Sequence, residues 1–250
     1  MDPVCFTLGG RPIYWYGVFM ALAFLAAVTH WNWLGRRQQR PPGFGSELAF
    51  WIMLAGIVGS RVAYVFSEID EFRGRWLDVV RVDQGGLIFY GGFLGAILAV
   101  WFLAWRRGEP FWALSDFTIS ALPLGHALGR VGCFLNGCCY GRPTGAPWAC
   151  ASHDALRHPT QLYEAAANLL IYGVLLRALR GGAVKDRPGR LTGLYLMLYP
   201  PVRFAVEFLR GDPRMRWAGL SVAQWMSLAM FLLGAALWAG WPRRRSPASP

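Results

Sequence analysis

Seven apolar runs, most of them closed by arginines, set the limits on what this chain can fold into. A helix needs about 20 apolar residues to cross the hydrocarbon core of a bilayer, and these runs approach or exceed that length. They are read as helices over about 13–34, 47–66, 86–105, 111–129, 162–179, 191–209 and 220–241. Composition agrees, with 55% hydrophobic residues, 16% charged residues and thirteen tryptophans. The expected fold class is all-α: a polytopic integral membrane protein of about seven transmembrane helices. Residues 1–242 are expected to form a single transmembrane domain, and 243–250 a disordered basic tail. Pro123 and the Pro200-Pro201 pair should kink or break the fourth and sixth helices, because proline lacks the N–H that an inner turn requires.

The formal net charge of +11 invites a nucleic-acid reading. The basic residues, however, flank apolar runs, which fits membrane orientation and anionic headgroups and sets nucleic-acid binding aside. Arg36-Arg37, Arg106-Arg107, Arg177, Arg180, Lys185, Arg187 and Arg190 all fall on one side of the membrane if the N-terminus is outside. The acidic cluster Glu68, Asp70, Glu71, Asp78 and Asp83 then falls on the other side. An odd span number places the C-terminus in the cytoplasm. Met1–Gly10 carries no basic region and no clear small-residue cleavage site, so the first run reads as retained. The connections Glu68–Gln84 and Arg142–Gln161 are the long ones, and both lie on the outer side, where they suit a substrate mouth.

Polar side chains at bilayer depth are expensive and mark functional sites by default. The stretch Gly125–Arg142, G-H-A-L-G-R-V-G-C-F-L-N-G-C-C-Y-G-R, holds Arg130, Asn136 and Arg142 among five glycines and three cysteines. Arg203, Glu207 and Arg210 are spaced to share one helical face. There they are either a self-neutralising pair that lets the helix pack, or an arginine held by its carboxylate and aimed at an anion. Arg61 follows Gly56 and Gly59 on an apolar helix, either paired with Glu164 or Glu207 or available to a phosphate. His158, Gln161 and Glu164 open the fifth span as helix capping or as one polar stripe facing the core. Tyr16 is belt anchoring or part of a site, and Tyr90 sits in the glycine-rich start of the third span, where small residues allow close helix packing.

Five cysteines, Cys5, Cys133, Cys138, Cys139 and Cys150, are too few for a disulfide scaffold and match no zinc-finger spacing. A metal site built from them with His153 or His158 has no specific spacing behind it, and no metal ligand is expected. A thiolate favoured by a neighbouring arginine stays open as a nucleophile.

Taken together and in order, these motifs resemble the bacterial prolipoprotein diacylglyceryl transferases. The resemblance runs through Trp15-Tyr16-Gly17, Gly59-Ser60-Arg61, Asp83 to Gly95, the G-R-x-G-x-F-x-N-G-x-x-x-G-R of Gly129–Arg142, His158-Pro159-Thr160-Gln161-Leu162-Tyr163-Glu164, and Arg203-Phe204-x-x-Glu207-Phe208. It implies a multi-pass inner-membrane enzyme with its site toward the periplasmic leaflet. Such an enzyme moves the diacylglyceryl group of phosphatidylglycerol to the lipobox cysteine at a prolipoprotein signal peptide, without a cofactor. It carries functional roles over to Tyr16, Arg130, Asn136, Gly141, Arg203 and Glu207, with Arg61 and His158 as further candidates; Tyr16, Arg130, Arg203 and Glu207, together with Tyr90, are expected to be catalytic. Substrate contacts fall on Arg61, Asn136, Gly137, Gly141, Arg142, His158, Gln161 and Glu164. Three positions depart from the family pattern: Tyr90 stands for histidine, Cys133 for asparagine and Cys138 for glutamate. Tyrosine, with an ordinary pKa of about 10, is a poor base at neutral pH. The departures therefore bear on proton removal and on the acceptor, which leaves a same-fold transferase with another acceptor, or a non-catalytic lipid-binding or redox protein, as the alternatives.

Overall fold

A computed structural model describes residues 3–82, 85–152, 155–182, 184 and 187–240. The tail expected over 243–250, together with Asp83, His153 and Lys185, lies outside the described residues. The chain is mostly helical: α1 Trp15–Arg37, α2 Phe44–Ser67, α3 Phe89–Arg106, α4 Phe111–Ile119, α5 Leu122–Leu135, α6 Thr160–Arg180, α7 Arg190–Glu207 and α8 Val222–Trp238. Four of these, α1, α2, α3 and α6, are long and apolar enough to cross a membrane. Their outward faces carry large apolar side chains such as Leu25, Phe66, Leu98, Trp105 and Leu170 in the open. Water would not tolerate so many, whereas lipid does.

The fourth apolar run is divided at Ser120-Ala121, and Pro123 sits in the first turn of α5, where its missing N–H costs nothing. The break expected at Pro200-Pro201 does not occur, because α7 continues through both prolines. Gly193 and Gly234 let α7 and α8 approach so nearly that a Cβ on Gly234 would lie 2.8 Å from the Leu196 carbonyl carbon. Among the described residues, three two-stranded antiparallel pairs were not expected from the sequence: β1 Val4–Leu8 with β2 Arg11–Tyr14, β3 Cys150–Ser152 with β4 Ala155–Arg157, and β5 Arg216–Trp217 with β6 Leu220–Ser221.

The fold divides into two compact units. One unit holds the chain up to Ala27 and from Asp116 onward, and in it α5 packs on α6, α6 on α7 and α7 on α8. Asp116 caps α7 from a distance, its carboxylate accepting from Gly189 N at 2.7 Å, Thr192 N at 2.8 Å and Thr192 Oγ1 at 2.7 Å. This cap satisfies N–H groups that the helix itself leaves unpaired.

The other unit, Val28–Ser115, is organised on α2 and α3. Gly59 and Gly91 meet backbone to backbone, and Gly95 lies against the Ala55 carbonyl, so the glycines of both spans are spent on this seam. At the basic end of these helices Arg40 reaches Glu109 at 2.5 Å, Arg107 pairs with Glu47, and both guanidinium groups lie 4.7 Å from the Phe44 ring centre.

Candidate active site

Three side chains from α5 and α7 assemble around one carboxylate on α6. On α6, Glu164 is completely buried. Arg130 of α5 reaches it with Nη2 at 3.0 Å from Oε1 and 2.9 Å from Oε2. Tyr199 of α7 donates its hydroxyl to Oε1 at 2.7 Å, and His126 of α5 stands 3.5 Å away through Nε2. A carboxylate this deep persists only when paired and hydrogen-bonded, and here both conditions hold. The local sequence explains the convergence. His126 and Arg130 are four apart on α5, as Tyr195, Tyr199, Arg203 and Glu207 are on α7, so each set lines one helical face. Tyr195 and Tyr199 stack with ring planes 2° apart, and His126 lies 5.0 Å from the Tyr199 ring centre.

A second pair lies one turn further along α7, where Arg203 Nη1 is 2.7 Å from Glu207 Oε2. Arg203 lies within electrostatic reach of both Glu164 and His126, which joins the two pairs into one cluster. Among the described residues, Arg130 Nε and Glu207 Oε1 are buried with neither a hydrogen-bond nor an ion-pair partner, while Arg203 Nη1, Glu207 Oε2 and Glu164 Oε2 make only the ion pairs given above. Both arginines are fixed by charge, and Arg130 keeps one buried donor unspent.

Beyond the end of α5 the chain makes a tight turn. Asn136 closes the helix, and Gly137 follows at φ 71°, a left-handed conformation that suits glycine. Gly141 N donates to the His158 carbonyl at 3.1 Å, and a Cβ at Gly141 would lie only 2.7 Å from the His158 Cβ. Arg142 N donates to the Leu209 carbonyl at 2.8 Å, which places its backbone in the same junction and its side chain in the open. The start of α6 holds this turn from below: Gln161 Nε2 donates to the Cys138 carbonyl at 2.6 Å and Thr160 Oγ1 to the Cys139 carbonyl at 2.9 Å. His158 Nδ1 lies 3.1 Å from the Tyr163 hydroxyl, which also accepts from Trp148 Nε1 at 2.7 Å.

The turn gathers Cys133, Cys138 and Cys139, whose Sγ atoms all lie within 4.8 Å of one another. The Tyr16 hydroxyl, on the α1 segment packed at Gly132, lies within electrostatic reach of these thiols and of Arg130. Arg210, past the end of α7, does not extend the Arg203–Glu207 face. Its guanidinium binds Asp212 through two hydrogen bonds of 2.8 and 2.7 Å and also reaches Cys139. Hydrogen bonds from the Cys133 and Cys138 thiols hold the Cys139 thiol well below its ordinary range, with Arg210 acting the same way, against burial that pushes it up.

The first unit therefore brings together Tyr16, Arg130, Asn136, Gly137, Gly141, His158, Gln161, Glu164, Arg203 and Glu207, with Arg142 on the rim. Arg61 and Tyr90 belong to the second unit. Arg61 is buried, but its guanidinium donates to four carbonyls, those of Asp78, Val79, Gly85 and Gly86, and so ties down the connection that follows α2. The carboxylates weighed as its partners are engaged by Arg130 and Arg203 instead. Tyr90 is exposed at the start of α3 and meets Phe89 edge to face. His126 and Tyr199 were not singled out in the sequence. The signal that finds them is their four-residue spacing to Arg130 and Arg203.

These features define a multi-pass helical membrane protein that buries paired arginines and carboxylates among its helices. The family model described as prolipoprotein diacylglyceryl transferase matches residues 3–240. The chain belongs to that family. Among its relatives, the phosphatidylglycerol–prolipoprotein diacylglyceryl transferase of Solidesulfovibrio magneticus is 36% identical, over 98% of this chain and 95% of the relative. The protein of the same name from Bordetella avium is 37% identical over 98% of this chain and 96% of its own length. That of Pseudomonas aeruginosa is 34% identical over 100% and 97%.

Proposed function

We propose that this protein transfers the diacylglyceryl group of phosphatidylglycerol to the lipobox cysteine of a prolipoprotein, at the periplasmic face of the bacterial inner membrane. The thiol sulfur attacks the glyceryl carbon that bears the phosphate ester. A C–S bond forms, the C–O bond breaks, and glycerol phosphate leaves with the electron pair. The reaction needs positive charge and donors on the phosphate oxygens, and it needs somewhere for the thiol proton to go.

The observation that carries this reading is the buried, unpartnered Arg130 Nε in a cluster where Arg130 and Arg203 are both held in place by carboxylates. A buried donor without a partner costs about 1–3 kcal/mol, which a phosphate oxygen would return. Guanidinium keeps its charge when desolvated and matches phosphate in geometry. Glu164 and Glu207 orient the two arginines from behind. Asn136, Gly137 and Gly141 form the turn that meets the headgroup, with Gln161 supporting it, His158 flanking it and Arg142 at the mouth. Tyr16 closes the cluster from α1.

Arg203→Ala is expected to abolish lipidation in a strain depleted of its own transferase, with the variant still inserted and accumulated. The readout is the mobility shift of a lipoprotein precursor. Normal lipidation by the variant would overturn the role given to Arg203, and failure of the wild-type chain to lipidate the precursor would overturn the acceptor.

A further inference from the structure

Cys133, Cys138 and Cys139 are the chemically richest group that the phosphate-binding reading leaves without work. Their Sγ atoms lie within 4.8 Å of one another, all three residues are half-buried, and none is in a disulfide. Tetrahedral zinc, with Zn–S of about 2.3 Å, needs its sulfurs about 3.8 Å apart, a distance that small side-chain rotations supply from this arrangement. The neighbouring thiols of Cys138 and Cys139 reach Cys133 together because Cys139 takes a left-handed backbone at φ 65°. A residue other than glycine is held in that region only when its surroundings enforce it, and such residues cluster at functional sites. Charge agrees as well. Three thiolates on Zn²⁺ leave one negative charge. Arg210 and Arg214 around the single carboxylate of Asp212 leave one positive charge beside it, with Arg210 hydrogen-bonded to Cys139.

We infer that Cys133, Cys138 and Cys139 bind one Zn²⁺ through three thiolates and leave its fourth position to the acceptor thiol. Resting on the transferase reading above, this assigns the site a role in proton removal. A thiol that coordinates zinc is deprotonated outright. The acceptor R–SH loses its proton to solvent on binding, its sulfur then attacks the glyceryl carbon, the phosphate ester C–O bond breaks, and the thioether leaves the metal. No side-chain base is needed, which suits a chain with tyrosine at position 90. Three protein ligands with one open position is also the pattern of catalytic rather than structural zinc sites.

The test uses the full chain in detergent, reduced, stripped with chelator and titrated with Co²⁺ as the optical probe. One equivalent is expected to give a thiolate charge-transfer band and tetrahedral d–d bands, both displaced by Zn²⁺. A lipobox peptide with a free cysteine should shift the d–d bands, and its serine counterpart should not. Cys138→Ser is expected to raise the Zn²⁺ Kd by at least about tenfold, since even outer-shell losses cost 10–100-fold. The double variant Cys5→Ser/Cys150→Ser should bind as the wild type does. Absence of the charge-transfer band from folded wild-type protein overturns the proposal, and so does its persistence in Cys133→Ser/Cys138→Ser/Cys139→Ser. If the triple variant does not fold, the wild-type spectrum and the single variants decide. Lipidation by chelator-stripped protein at the full rate would refute the metal's role and leave the transferase reading standing. Zinc binding with no lipidation under any loading would do the reverse.

Discussion

Glu164→Gln tests the physical basis of the site directly. The side chain of Glu164 is 1% exposed and that of Arg130 14%, so their ion pair at 2.9 Å has little solvent to screen it. Glutamine keeps the size of the side chain and an acceptor for Tyr199, but it leaves Arg130 as a buried charge without its counter-ion. Breaking a buried pair by removing one partner costs about 3–5 kcal/mol. At roughly 2–4 °C per kcal/mol for a chain of this size, the melting temperature in detergent should fall by about 6–20 °C. Tryptophan fluorescence on heating, with size-exclusion recovery as a check, reads this out. Arg130→Gln/Glu164→Gln removes both charges, so the double variant should be more stable than the sum of the singles implies, with a coupling of about 0.5–3 kcal/mol. A Glu164→Gln melting temperature within 2 °C of wild type, by order of magnitude below any broken buried pair, would refute this account. Additive behaviour in the cycle would refute it equally.

Two other perturbations probe different parts of the fold. Gly59→Leu places a side chain against the Gly91 carbonyl, so α2 and α3 must separate, and overpacking of this kind costs about 1–3 kcal/mol. The variant should melt several degrees lower, whereas a leucine at Gly173, which has open space around it, should not. The second perturbation concerns pH. Although burial pushes the Asp212 carboxyl up, hydrogen bonds and charge from Arg210 and Arg214 hold it below its ordinary value of 3.8. Its folded pKa is depressed, so its contribution to stability is present above the unfolded value and lost as pH falls through the folded one. Asp212→Asn should therefore be less stable than wild type at pH 6, and the gap should close at pH values below 3.8. Melting curves across that range check the sign, and a gap that widens in acid would contradict it.

The helices were legible because lipid imposes length and apolarity on a span, and both are written locally. Each run coincides with a helix or, for the fourth, with the pair α4 and α5 divided ahead of Pro123. The persistence of α7 through Pro200-Pro201 was not legible, since a proline's missing N–H argues locally for a break. In the same way, the charged residues announced themselves individually, but their partners did not. Arg203 pairs with Glu207 four residues on, within reach of a helical wheel, whereas Arg130 pairs with Glu164 across thirty-four positions. Arg61 illustrates the ambiguity best. Its burial in an apolar helix reads as a functional charge, yet backbone carbonyls, which no side-chain pattern reveals, account for its donors.

The cysteines show the opposite case, in which the sequence drew attention for a reason that only geometry gives weight. Adjacent Cys138 and Cys139 point apart in an extended strand, because successive side chains alternate. A left-handed residue at 139 removes that alternation and sets both thiols beside Cys133, one turn back on α5. The same turn is pinned by Gln161 and Thr160 through the carbonyls of the two cysteines themselves. Rigid backbone on one side and Arg210 on the other fix the trio next to Arg130 and Tyr16, so the residues that leave the family pattern stand at the site rather than away from it.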